Sequence, residues 1–188
     1  MRKSFFILLA LSVLMMSGCQ YDDSKYQATK QNIQYHYFEA IDSHAVFLQE
    51  LQFVPSDQLL PFVQGYTMRN KHNDLYADVE VIAYEQLNQK LSPEMITTIQ
   101  EVNNTLDRLI SSLYSYLSQE GNDISKTTIS DFTNLGVQIA HSDQSNLTLY
   151  NLLVYPEHIQ KNYADSDISL FLLELKELLR KMHDNLII

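Results

Sequence analysis

His36 and Glu39 lie three residues apart, and His44 follows His36 by about two helical turns. On a helix, His36 and Glu39 share a face, and an imidazole beside a carboxylate is part of a metal-binding set. The competing reading is chance in an acidic chain. Asp42 lies by His44, Asp74 by His72, Asp143 by His141, Glu157 by His158 and Asp184 by His183, in a chain with 23 acidic residues. His36, Glu39 and His44 are therefore candidate ligands only, and no resident metal or other cofactor is expected. The acid pairs in Tyr21-Asp22-Asp23 and Asp165-Ser166-Asp167 read as a solvated tether and a helix cap rather than cation sites. There is no Gly-x-Ser-x-Gly elbow, phosphate-cradling glycine loop, His-Glu-x-x-His helix or Cys-x-x-Cys pair. No catalytic residue is assigned, and a non-enzymatic protein is expected, with a hydrolase as the remaining enzymatic alternative.

Twelve tyrosines and no tryptophan give the chain its aromatic character. Such rings suit the boundary of a helical core, where the ring is buried and the hydroxyl reaches water. The alternative is an exposed surface that stacks on sugars or on a partner protein. The formal charge of −10 argues against nucleic acid, and against adhesion of the protein surface itself to anionic lipid. With 45% apolar residues, four glycines and four prolines, the chain suits one domain with one substantial core.

The elements that would position these side chains are helices. Ile33, Tyr37, Ile41, Ala45 and Leu48 fall on one helical face from Asn32 onward, and Phe53-Val54-Pro55 ends that helix. Pro55 to Asn73, with Pro61 and Gly65, reads as a connection holding a short helical turn around Leu59, Leu60, Phe62 and Val63. A second helix is predicted over about Asp74–Leu91. Ser92-Pro93-Glu94 starts a third, with a serine cap, proline at the first helical position and an acid near the positive end. Its apolar positions run from Ile96 to Leu117 before Gly121-Asn122 stops it, and it is expected at the centre of the packing. Ser125 to about Ser142 reads as a fourth helix in which Gly136 marks a close crossing. Asn146–Tyr155 alternates like a strand yet also fits a helix ending before Pro156, and helix is favoured because one strand cannot pair alone. A last helix follows Asp165-Ser166-Asp167 through Ile168, Leu172, Leu175 and Leu179, with Lys176, Arg180 and Lys181 near its negative end. The sum is an all-α bundle of about five or six helices.

Ahead of this domain, Arg2 and Lys3 precede the apolar run Phe5–Met16, which is too short to span a bilayer as a stable helix. This is the pattern of a secretion signal. Its end, Met16-Ser17-Gly18-Cys19, resembles the lipobox of bacterial lipoproteins, an aliphatic residue and two small residues before an obligatory cysteine. Methionine stands here where leucine is commoner. The resemblance implies cleavage between Gly18 and Cys19 and a diacylglyceryl group on the Cys19 thiol, with acylation of the new amine in many bacteria. Residues 1–18 would then be a removed signal, 19–30 a lipidated N-terminus and tether, and 31–188 a single helical domain. Loss of Arg2 and Lys3, with no acid, would take the charge from −10 to −12. Cys19 is the one cysteine, so no intramolecular disulfide can form and the core must hold the domain. Gln20, rather than aspartate, after the cysteine resembles the sorting pattern for outer-membrane export in Gram-negative bacteria.

These readings make the chain a lipid-anchored envelope protein, at the outer membrane and facing the periplasm. Its helical domain is expected to serve interaction or assembly with an envelope protein partner. The alternative is a small-ligand or metal-binding envelope lipoprotein with a pocket between helices.

Overall fold

The computed structural model describes residues 23–70 and 90–186, together with Ala83, Tyr84 and Leu87. The lipobox and Cys19 lie outside the described residues, as do most of the helix expected over Asp74–Leu91 and the side chain of His36. The chain divides into two units, Met1–Asn32 and Ile33–Ile188. Within the first, the described residues are helical. The second holds the core.

All regular structure among the described residues is helical, as the apolar periodicity predicts. In chain order the α-helices are α1 (Asp23–Glu50), α2 (Leu59–Asn70), α3 (Pro93–Leu117), α4 (Lys126–Ile139), α5 (Leu149–Val154), α6 (Pro156–Asn162) and α7 (Asp165–Leu186). Two 3-10 turns, Leu51–Phe53 and Ser56–Gln58, join α1 to α2. α2 extends what reads as a short helical turn within a connection, and α6 begins at Pro156, where no element is predicted.

The helix α3 is the hub. Its Ser92 cap accepts a hydrogen bond from the Met95 N–H at 3.3 Å, and Pro93 occupies the first turn, where a missing N–H costs nothing. Ten of its side chains are buried, among them Ile99, Val102, Leu106, Leu109 and Leu113. Each fully buried aliphatic contributes about 1.5–3 kcal/mol, so this face supplies a large share of the core's stability. The longest packing seam pairs α3 with α7, which buries Ile168, Leu172, Leu175, Leu179, Met182 and Leu186. α3 ends at Leu117, short of Gly121. The Ser118 hydroxyl donates to the Tyr114 carbonyl at 2.7 Å, and the Asn122 amide donates to the Tyr116 carbonyl at 3.0 Å, so the last turn is closed by side chains. Gly121 then takes φ +85°, a backbone conformation open to glycine.

Two residues that read as helix breakers sit inside α2. Pro61 falls in its first turn, where N–H groups have no helical partner, so the ring costs no hydrogen bond. Gly65 is an exposed interior position with open space around it. Burial of Leu59 and Val63 compensates for both residues.

The crossing expected at Gly136 is present. A Cβ there would stand 2.7 Å from the Ala45 carbonyl oxygen and 3.2 Å from the Gln49 nitrogen, so only glycine lets α4 approach α1 this closely. The ambiguous stretch before Pro156 is the helix α5, in which Leu149, Tyr150, Asn151, Leu152 and Leu153 are all buried. A helix covered on every side shows no amphipathic period, which is why its sequence pattern does not declare it. α7 opens as the acid-rich segment predicts, with the Asp167 carboxylate accepting the Ala164 N–H at 3.2 Å.

Candidate functional site

The described histidines acquire partners that the sequence neighbours do not forecast. His44, on α1, places Nδ1 2.7 Å from the Tyr66 hydroxyl of α2 and Nε2 3.2 Å from the Asp107 carboxylate of α3. The carboxylate accepts the Nε2 proton, which leaves Nδ1 to accept from the phenol. Asp42, next in sequence to this region, instead accepts the His141 backbone N–H at 2.6 Å. Asp143 accepts from the Ser145 N–H and hydroxyl, and these bonds hold its carboxyl below the usual carboxylate range. Glu157 pairs with Lys90 at 3.0 Å and is likewise held low. Asp184 stays with its expected neighbour, 3.7 Å from His183, and Glu157 still feels the charge of His158 beside it.

A carboxylate, imidazole and hydroxyl in series is the arrangement that activates nucleophiles. Here the surroundings favour a structural role. Asp107 is 67% exposed, so water screens its charge. The Tyr66 ring is stacked on Phe47 at 4.0 Å, and Phe47 in turn on Phe62 at 5.6 Å. The relay is a polar clamp on an aromatic stack that joins α1, α2 and α3. Among the described residues, no group of three His, Cys, Asp or Glu side chains could hold a metal. Glu39 is an exposed residue of α1.

Nearby, α5 buries Tyr150, whose ring meets His141 edge to face at 5.2 Å. Burial, with a hydrogen bond to Tyr35 and the charge of Asp42, pushes its hydroxyl well above the usual tyrosine value. The fully buried Asn151 organises the preceding loop. Its Nδ2 faces the Asp143 carbonyl at 2.7 Å, the Asn146 carbonyl at 3.0 Å and the Ser142 hydroxyl at 3.1 Å. Two carbonyl acceptors dictate which way the amide points.

The loop after α3, the start of α4 and the end of α7 line a solvent-open pocket of about 200 Å³. Its apolar lining is Ile124, Phe132, Met182 and Leu186, all buried. Polar groups converge on it from Tyr116, Asp123, Ser125, Thr128, Asp131 and Asn185. None of these residues stands out in the sequence, because the lining comes from three segments that are each ordinary alone.

The described domain is thus all-α, with a part-buried polar clamp joining α1, α2 and α3 and an amphipathic pocket beside α4 and α7. The chain matches no known family model, no curated protein and no solved structure. Among the described residues, no helix is long and apolar enough to cross a membrane.

Proposed function

We propose that the chain is a bacterial envelope lipoprotein, acylated at Cys19 and held at the periplasmic face of the outer membrane. In this reading its helical domain is a non-enzymatic interaction or assembly module for another envelope protein. The anchor rests on Arg2, Lys3, the apolar run and Met16-Ser17-Gly18-Cys19. Two acyl chains hold a protein stably where one holds marginally, and an acidic domain adds no affinity of its own for anionic lipid.

The observation that carries the partner reading is the apolar surface around the α1–α4 crossing. Val46 and Val137 are the chain neighbours of Ala45 and Gly136, which meet there, and both are exposed. Phe53, in the 3-10 turn that packs on α4, is 78% exposed. An exposed apolar patch marks a contact surface, and we take these three side chains as its members. Metabolic labelling with a fatty acid tests the anchor: Cys19→Ala is expected to lose label and membrane retention, and retention of an acylated variant overturns it. In-cell crosslinking tests the module. Phe53→Glu, with an unchanged circular dichroism spectrum, is expected to lose a partner that the wild type captures, and undiminished capture sinks the assigned surface.

A second reading, small-ligand binding, is favoured by the amphipathic cavity between α4 and α7, whose apolar floor and converging polar groups are the usual features of a ligand site.

A further inference from the structure

We propose that this cavity binds a small organic cation, an ammonium group on an apolar body the size of one aromatic ring. The inference rests on the small-ligand reading and adds its chemistry.

Size comes first. An apolar cavity of about 150 Å³ is large enough to take up benzene, and the volume here is about 200 Å³. Phe132, Met182 and Leu186 line it and are each at most 8% exposed, so the apolar surface they offer is narrow and, rather than a larger body, fits one ring edge. An aromatic face and a thioether are both favourable partners for it.

Charge decides the class. Among the described residues, Asp123 and Asp131 are the carboxyls of the lining, and no lysine, arginine or histidine lines it. One oxygen of Asp123 accepts the Ile124 N–H at 2.7 Å, which fixes the carboxylate and leaves its second oxygen for a ligand. Asp131 makes no ion pair among the described residues. The start of α4 also borders the cavity and would favour an anion, with an effective charge of about +0.5. That pull is partly spent, since the Ser125 hydroxyl already accepts the Thr128 N–H at 3.1 Å. Two full negative charges outweigh it. Tyr116, whose hydroxyl donates to the Asp123 carbonyl at 3.4 Å, also lines the pocket, and an aromatic ring attracts an ammonium by about 0.5–1 kcal/mol. The chain's net charge of −10 raises the local concentration of any cation.

The test is a titration of the full chain, labelled with ¹³C at its methionine methyls, with three probes of one shape. These are 2-phenylethylammonium, neutral 2-phenylethanol and anionic phenylacetate. Met182 lies in the floor, and its signal is assigned by its loss in Met182→Leu. The ammonium is expected to shift the Met182 methyl saturably, and the alcohol to bind about ten-fold more weakly. Asp131→Asn, an exposed substitution that leaves the fold intact, is expected to weaken the ammonium about five-fold and leave the alcohol unchanged. If the alcohol or phenylacetate binds as tightly as the ammonium, or if Asp131→Asn has no effect, the cation assignment is overturned while the ligand-site reading stands. If none of the three probes moves Met182, both are overturned.

Discussion

The Tyr66 hydroxyl donates to His44 Nδ1 over 2.7 Å, and through that bond α2 is tied to α1 at the place where the Phe47 ring stacks on Tyr66. The other imidazole nitrogen meets Asp107 of α3 at 3.2 Å. Three helices share one side chain.

A double-mutant cycle measures this clamp. Tyr66→Phe keeps the ring stack and removes the donor, at an expected cost of about 0.5–1.5 kcal/mol in urea unfolding. In a His44→Ala background the same change should cost much less, because the acceptor is already gone. Asp107→Asn should stay within about 1 kcal/mol of wild type, since the carboxylate is solvated. A cost for Asp107→Asn that matches Tyr66→Phe would show that the carboxylate, not the phenol, anchors the imidazole.

The two helical glycines should respond to alanine with opposite signs. Gly65 has nothing within 4 Å of an added Cβ, so Gly65→Ala should stabilise by about 0.5–1 kcal/mol through helix propensity. Gly136→Ala drives a methyl group into the Ala45 carbonyl and should destabilise by about 1–3 kcal/mol. For a domain of this length, thermal midpoints should move about 2–4 °C per kcal/mol, up for the first variant and down for the second.

Removal of the Asn151 side chain exposes a different dependence. Asn151→Ala removes the buried donor from the part-buried Asp143 and Asn146 carbonyls and should cost about 1–3 kcal/mol by chemical denaturation. Asn151→Asp should be worse than alanine at neutral pH, because it removes the donors and buries a charge. As pH falls the acid regains a proton and a donor, so this variant should recover part of its stability.

Tyr150 predicts a loss of stability in alkali. Its hydroxyl is raised in the folded state, by burial first and then by Tyr35, while in the unfolded chain it titrates near 10. Above that pH the unfolded state binds fewer protons than the folded one, so the stability Tyr150 contributes is complete below about 10 and is lost as pH rises beyond it. Tyr150→Phe removes this contribution. Its stability should fall less steeply than that of wild type across the alkaline range, and parallel profiles would show that Tyr150 is not the group responsible.

Where one face of a helix is buried, its residues announced it. The third and last expected helices match α3 and α7 in core positions, because burial on one side imposes a period of three to four residues on the sequence. Ser92-Pro93-Glu94 was legible for a local reason, since capping depends on a few consecutive residues. α2 was legible only as a short turn around Leu59 and Val63: Gly65 lowers its helix propensity, and burial of Leu59 and Val63 against the bundle extends the turn to twelve residues. α5 was ambiguous because full burial erases the period.

The candidate site divides along the same line. His44 was visible as a residue type, but its acid is Asp107 and its hydroxyl is Tyr66, while nearby Asp42 turns to His141. Sequence proximity places two side chains within reach without orienting them, and on a helix positions two apart face different ways. The cavity follows the same logic, with Asp123, Asp131 and Met182 brought together only by the packing of α4 against α7. The amino-acid sequence by itself determined the helical class and the acidic charge, and it carries the lipobox-like motif from which the anchor is proposed, because each depends on composition or on runs of adjacent residues. Tertiary structure decided which polar groups meet, because partners distant in the chain are chosen by the buried apolar faces that bring their helices together.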